Sequence, residues 1–474
     1  MAQVLLLKPQ SKHIVVPPLG LGYLASALKQ QGFSSKIIHC SKERVSIPDV
    51  ARLVVSEKIN IVGVSCCSND HPWVSTLAEE LASQHQVKLV VGGPHATGLR
   101  GRLLELIPRI DFIVYSEGEK SFPKLVGHLL GENLDHSALS EIPNLIWKNS
   151  KGDVVENAVE LIPDLDALEF PDWDQMPPAA YAEFTPHGGF TKASPVGQLM
   201  TTRGCPYGCN YCAARLIHGR KIRCRSPESI VEEIEYLINV QRVREIHIED
   251  DNFTENKDHV FDLCTKIRER NIRMPFALPN GVRLDRLDDE ILQELQATGF
   301  YMFFLGIESG SQATLKRMNK ALDLGKVKET ISRIRKYDFQ IKGYFIIGYP
   351  GETKEDIRQT IDYARSLDLD RAYFTMFIPL PGSVIFNDLE KAGKIDIHKF
   401  QWENFYTKGK TTPPFIPEGM TSDELEAYSH LAYRLFYLRP NILLKMLKDQ
   451  RITSFHHFLE VGWNLARLNL SYFL

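Results

Sequence analysis

At 474 residues the chain is too long for one ordinary core, and a norm of ~150 residues per domain points to two or three domains. With 43% hydrophobic and 24% charged residues it has the composition of neither a disordered nor a membrane-spanning protein. A formal net charge of -3 supplies no electrostatic reason to expect nucleic acid as the main partner.

The opening MAQVLLLKPQ has an apolar run too short for a signal-peptide core and no small-residue cleavage site behind it, so a cytoplasmic protein is expected. Over residues 1–130 short apolar runs alternate with amphipathic stretches. VLLLKP, KIIHC, INIVGVSC, VKLVVGG and IDFIVYSEG read as strands, with helices over 22–31 and 73–84 among those between them. This is the pattern of a doubly wound, Rossmann-like α/β domain, which holds ligands at its strand ends. From 131 to 195 the period is lost and Pro, Asp and aromatic residues gather, as in PDWDQMPP; a connector is expected.

Residues 196–414 bring a second α/β run. QLMTTRG, EIHIEDD, PFALPNGV, YMFFLGIES, KGYFIIGYP and RAYFTMFIPL are six candidate strands separated by helices, which suggests a partial (β/α)6 barrel. In the first of these helices Ser226 can cap, Pro227 suits the first position, and Ile230, Ile234, Leu237 and Ile238 make one apolar face. Gly299 is placed to end a helix over 288–298. A parallel barrel puts its chemistry where the loops after Arg203, Asp251, Ile307 and Ile347 meet. From 415 to 474 the sequence turns helical and aromatic, with a break expected at Pro440. It reads as a helical cap, since its apolar runs fall far short of the ~20 residues that span a bilayer.

Eight cysteines without a secretory signal are expected as thiols or metal ligands rather than disulfides. TTRGCPYGCNYC supplies three of them, Cys205, Cys209 and Cys212, on one loop. Structural zinc needs a closed set of four ligands, and no fourth cysteine or histidine stands at matching spacing. Three thiolates on a four-iron cluster leave one iron open to bind a substrate. Cys264, on the apolar side of a helix, and Cys224, in RKIRCRSPE, read as packed thiols, although neighbouring arginines would favour a Cys224 thiolate.

CPYGCNYC, with Tyr211 before the last cysteine, resembles the signature of the radical S-adenosylmethionine superfamily. The resemblance implies a 4Fe-4S cluster on the three cysteines, whose open iron chelates S-adenosylmethionine and whose reducing electron releases a 5'-deoxyadenosyl radical. It also implies S-adenosylmethionine contacts at Tyr211, at Asp251 after the second strand, at Glu308 and Ser309 in GIESGS, and at Gly348 and Glu352 in GYFIIGYPGE. The family's second strand often ends in Gly-Gly-Glu, where this chain has Asp250, Asp251 and Asn252. By themselves Gly306, Gly310 and Gly348 need do no more than turn strands into helices.

In the N-terminal domain, PPLGLGYLA, the SCC of 65–67, GGPHAT and YSEGE lie at strand ends. A dinucleotide fingerprint would need a third glycine and an acid at the end of KIIHC; both are missing. Placed before such a barrel, these pieces resemble the cobalamin-binding domain of cobalamin-dependent radical enzymes. That resemblance implies contacts from Pro18, Gly20, Gly22, Tyr23, Ser65, Cys66, Gly92, Gly93, Pro94, His95, Glu117 and Gly118. The histidine-bearing motif of many cobalamin proteins is absent from VPPLGLG, and His13 stands upstream of it; His71 and His95 read as hydrogen-bonded residues rather than ligands.

The resemblance therefore implies a cobalamin-dependent radical methyltransferase acting on an unactivated carbon or, as second choice, a phosphorus centre. A cobalamin-dependent cyclase or rearrangement enzyme is the alternative on the same domains. Methylthiotransferase or tRNA-modifying activity would want a second cluster or a basic RNA-binding domain, and a non-catalytic cobalamin sensor would not need the intact cysteine loop. A small-molecule, lipid or peptide substrate and an external electron donor such as flavodoxin or ferredoxin are the expected partners, with no nucleic acid and no transmembrane segment.

Overall fold

The computed structural model describes residues 3–10, 15–83, 86–131, 136–186, 189, 191–405 and 412–449. His13 and the last 25 residues of the expected helical cap lie outside them. The chain forms two compact units. The first comprises Met1–Asn280 with Ala297–Phe300 and Pro379–Tyr406, and the second Gly281–Gln296, Tyr301–Ile378 and Thr407–Leu474.

In the first unit the five apolar runs become strands β1 (Val4–Lys8), β2 (Ser35–His39), β3 (Ile61–Ser65), β4 (Lys88–Gly92) and β5 (Phe112–Val114). They pair in parallel in the order β2-β1-β3-β4-β5. The order reverses between β1 and β3, and a doubly wound sheet opens a crevice for ligands beside such a reversal. Val4, Leu5, Leu6 and Leu7 are all completely buried, which is why the strand reads as a continuous apolar run rather than an alternating one. The helices expected over 22–31 and 73–84 are found at Leu19–Gln30 and His71–Leu81.

The connector adds what its sequence concealed. β6 (Leu145–Lys148) and β7 (Val154–Glu156) extend the first sheet antiparallel beyond β5, making it mixed. PDWDQMPP is anchored by Trp173, whose buried indole N–H donates to Glu233 at 3.1 Å.

Also in the first unit, β8 (Val196–Leu199) leads into a two-stranded antiparallel ribbon of β9 (Thr202–Arg203) and β10 (Arg223–Cys224). β11 (Glu245–Ile248) and β12 (Phe276–Val282) then continue parallel to β8 in the order β8-β11-β12. The helix before β11 is Pro227–Asn239, capped by the Ser226 hydroxyl accepting from the Ser229 N–H and burying Ile230, Ile234 and Leu237 as its periodicity requires. The helix before β12 is Lys257–Glu269, with Cys264 fully buried as expected.

In the second unit β13 (Phe300–Glu308), β14 (Gln340–Ile347) and β15 (Arg371–Met376) are again parallel and in chain order. The α/β class and six parallel strands of the second run thus hold, three in each unit. Gly299, at φ +104°, ends the helix Asp289–Thr298. Helix Ser422–Tyr437 packs on β15, where the Tyr437 hydroxyl donates to the Ala372 carbonyl at 2.9 Å. Pro440 opens the helix Pro440–Asp449 instead of breaking one, because a first-turn residue needs no N–H donor.

Candidate functional site

The ribbon of β9 and β10 pinches off the loop 204–222 that carries the three cysteines. Gly204 stands at its neck with φ +104°, and a Cβ there would lie 2.3 Å from the Lys221 carbonyl oxygen. Only glycine fits so close a backbone approach. The Cys205 N–H donates to the Gly219 carbonyl at 3.1 Å and the Cys212 N–H to that of Cys209 at 3.2 Å, so the loop folds back on itself. All eight cysteines are free thiols. Burial raises the Cys205 thiol and pushes Cys212 up to about 11, with the Asp251 carboxylate adding to both. Metal binding would displace those protons.

Among the described residues no three potential ligands converge on one metal-ion position. Three partly exposed thiols on one backbone-braced loop fit a larger cluster with an open iron. Beyond β11, Asp250 is tied to the chain after β8: it accepts from the Thr201 N–H at 2.6 Å and the Thr202 hydroxyl at 2.9 Å. Asp251 is left facing the cysteines, its carboxyl raised by burial and one oxygen without a hydrogen bond. Asn252 and Tyr207 both donate to Glu255, at 2.9 and 2.8 Å.

A cavity of about 370 Å³ opens at the carboxyl ends of β1, β3, β4 and β5. Of the residues expected there, Gly20, Tyr23, Ser65, Gly92, Gly93, Pro94, Glu117 and Gly118 line it. Gly93 has φ +92°, and a Cβ would press within 2.9 Å of Cys66 backbone atoms; one on Gly92 would meet the Val114 carbonyl at the same distance. Both glycines keep the cavity floor at backbone level.

Four expected residues stand outside the lining. Gly22 makes room for the connector, since a Cβ would meet Met176 and Pro171. Pro18 sits at the entry of helix Leu19–Gln30, where its carbonyl accepts from the Leu21 N–H. Cys66 is fully buried, its thiol turned to the Cys67 carbonyl at 3.2 Å. His95 is also fully buried, between His71, Ser68 and Trp402.

The lining also includes Cys67, Ser116 and Glu119, from the SCC and YSEGE segments, and Met200, Arg203, Ile217 and His218, which the sequence does not link to this cavity. Most of the polar ones belong to a buried ion set. Glu117 accepts from His218 at 3.0 Å, from Arg223 at 2.6 and 2.9 Å, and from the Ile162 N–H at 2.7 Å. Burial alone would raise its carboxyl, but the His218 and Arg223 hydrogen bonds and the Arg203 charge hold it well below the usual range. Arg203 donates from Nη2 to Glu119 at 2.6 Å. Nearby, Lys8 pairs with buried Asp70 at 3.0 Å and reaches the Cys67 sulfur at 3.4 Å.

In the second unit Glu308 ends β13 with φ +68° and pairs with Lys320 at 3.2 Å. Ser309 is buried, its hydroxyl 2.9 Å from that of Thr360. Gly310 lets the turn lie against helix Lys354–Ser366. Gly348, at φ +78°, and Tyr349 donate their N–H groups to one oxygen of buried Glu352, at 2.6 and 3.1 Å, while its other oxygen has no hydrogen bond. Burial raises the Glu352 carboxyl to about 7.

Two family models match the chain: the radical SAM superfamily over residues 199–364 and the B12 binding domain over residues 13–126. An uncharacterized methyltransferase of Pyrococcus horikoshii is 29% identical, over 90% of this chain and 89% of its own length. Cytidylyl-2-hydroxyethylphosphonate methyltransferase of Streptomyces wedmorensis is 28% identical, over 86% and 84%. The anaerobic magnesium-protoporphyrin IX monomethyl ester cyclase of Cereibacter sphaeroides is 27% identical, over 89% and 67%. Among solved structures the radical S-adenosylmethionine methyltransferase TsrM of Kitasatospora setae shares the fold, with a TM-score of 0.66 at 19% identity, covering 82% of this chain and 76% of that one.

Proposed function

We propose, for a chain that belongs to the radical SAM enzymes and carries a B12-binding domain ahead of its barrel, that the reaction is methylation of an unactivated carbon or, as second choice, a phosphorus centre. Its cofactors are a 4Fe-4S cluster, S-adenosylmethionine and cobalamin. Together they supply, when bound, a hydrogen-abstracting deoxyadenosyl radical and a methyl group held on cobalt. The observation that carries the reading is the overlap of the two cofactor regions. Arg203 lines the cavity of the first sheet and lies two residues before Cys205, which supports a methyl carrier and a radical source bound near each other. Two relatives that span nearly the whole chain and bear the name methyltransferase support it.

In this reading Cys205, Cys209 and Cys212 would hold the cluster, and Asp251, one of whose oxygens has no hydrogen bond, would be available to S-adenosylmethionine. Glu308, Ser309, Gly348 and Glu352 serve first to shape their turns. Leu6, Val64, Val90, Val114 and Phe122 give the cavity an apolar wall that would pack against bound cobalamin. A small-molecule, lipid or peptide substrate and an external reductant such as flavodoxin or ferredoxin complete the system. Among the described residues no helix is long and apolar enough to cross a membrane.

The cyclase relative favours a second reading, ring closure or rearrangement without methyl transfer. Methyl-deuterated S-adenosylmethionine separates the two. Methylation gives a labelled product with matching S-adenosylhomocysteine and 5'-deoxyadenosine. Conversion with 5'-deoxyadenosine but neither label nor S-adenosylhomocysteine would establish the second reading.

A further inference from the structure

Arg203 is the most constrained cation of the cavity wall, and one of its donors is unused. The residue is 4% exposed, and its guanidinium lies over the Tyr23 ring at 5.3 Å. Nη2 is fixed by Glu119 at 2.6 Å, whereas Nη1 has no hydrogen bond. The nearest carboxylate oxygen, Oε1 of Glu117, is 3.5 Å away and already accepts from His218 and Arg223. A buried guanidinium stays charged, and leaving its N–H unsatisfied is costly. Arg203 lines the cavity with Nη1 itself covered, so a turn of the guanidinium would bring that donor to an acceptor carried by the ligand.

We propose that Arg203 donates from Nη1 to an acceptor oxygen of bound cobalamin, a side-chain carboxamide or the nucleotide-loop phosphate, and so links occupancy of the cavity to the position of the cysteine loop. The link is short. Arg203 pairs across the ribbon with Arg223, and the next residue is Gly204, wedged against the Lys221 carbonyl. A shift of the Arg203 backbone therefore reaches Cys205 with no side chain able to absorb it. The inference rests on cobalamin binding and is independent of whether methyl transfer or cyclisation follows.

The test uses the anaerobically reconstituted full chain as wild type, Arg203→Met, Arg203→Lys and Glu119→Gln. Each is titrated with hydroxocobalamin and with cobinamide, which lacks the nucleotide loop. The electron paramagnetic resonance of the reduced cluster is recorded with and without corrinoid. Arg203→Met should keep about four irons and bind cobalamin roughly ten- to hundredfold more weakly, the scale of a lost charged hydrogen bond. Its cluster spectrum should stop responding to cobalamin, while Glu119→Gln, which frees the fork, should bind with smaller loss. A defect that disappears with cobinamide identifies the phosphate as acceptor; one that persists identifies a carboxamide.

If Arg203→Met does not fold, Arg203→Lys, which keeps a charge for Glu119 but loses the second arm of the fork, carries the same expectation. Wild-type affinity together with a wild-type spectral response in either folded Arg203 variant overturns the inference alone. A wild-type chain that takes up no corrinoid overturns the cofactor assignment as well.

Discussion

His71 Nδ1 lies 2.9 Å from His95 Nε2, and the two imidazoles are packed against the Trp402 indole. The second nitrogen of His95 meets the Ser68 hydroxyl at 3.1 Å. Burial lowers His71 to about 4, and burial with the neighbouring His71 holds His95 well below the ordinary range. Both groups are neutral when folded and near 6.5 when unfolded, so the unfolded chain takes up protons that the folded chain does not. The stability they support is complete above pH 6.5 and is lost as pH falls toward 4. His71 alone accounts for about 3 kcal/mol over that window. Urea unfolding followed at pH 7, 6 and 5 should show this decline, and His71→Gln should make it shallower, with the His95 share remaining.

Replacing Cys205, Cys209 and Cys212 together with alanine should abolish iron uptake and all 5'-deoxyadenosine formation. Cobalamin binding should survive, since none of the three lines the cavity. The checks are iron analysis after anaerobic reconstitution and corrinoid absorbance. A variant still holding about four irons would show that other ligands exist.

Gly204→Ala should harm the loop without touching a ligand. The added Cβ meets a backbone carbonyl in a left-handed conformation, a cost of at least about 1–2 kcal/mol. Iron content should fall well below that of wild type under identical reconstitution. Full iron content and an unchanged melting temperature would mean that the neck relaxes freely.

Glu117→Ala leaves the Arg223 and Arg203 charges buried with one carboxylate fewer. Breaking a buried ion set in this way costs about 3–5 kcal/mol, and the melting temperature should drop accordingly. Lys120→Ala, whose partner Glu160 is half exposed, is the control and should change little.

Cobalt(II) in this chain is expected to lack an axial nitrogen. The VPPLGLG loop has no histidine, which carries this expectation; the cavity-lining His218 bonds its Nδ1 to Glu117 and leaves Nε2 as the nitrogen to be tested. Electron paramagnetic resonance of the cobalt(II) form should show no nitrogen superhyperfine splitting. Splitting that vanishes in His218→Gln would assign that residue as the ligand instead.

The features legible in the sequence are those whose cause is local. The cysteine loop is set by spacing within a dozen residues, the Ser226 cap by one hydroxyl and one proline, and the buried strands by unbroken apolar runs. NLIWKN and VVE were not legible as strands because three or four residues carry no period. At Gly22 a sequence shows that space is needed but not which neighbour fills it; a Cβ there would meet Met176 and Pro171. The Glu117–Arg203 pairing joins residues 86 apart, and no periodicity reports such a distance. Glu352 adds a role that sequence does not report, one carboxylate oxygen accepting from the N–H groups of its own turn.

The ion set around Glu117 also bears on how such enzymes can be recombined. A hybrid that takes its first 130 residues from one parent and its barrel from another would divide Glu117 and Glu119 from Arg203, His218 and Arg223 at a seam with almost no water to screen a mismatch. Grafting a new substrate-binding barrel onto this corrinoid module therefore requires that the acidic YSEGE turn and the basic ribbon be inherited together, as a single exchangeable block, even though they lie far apart in the reading frame.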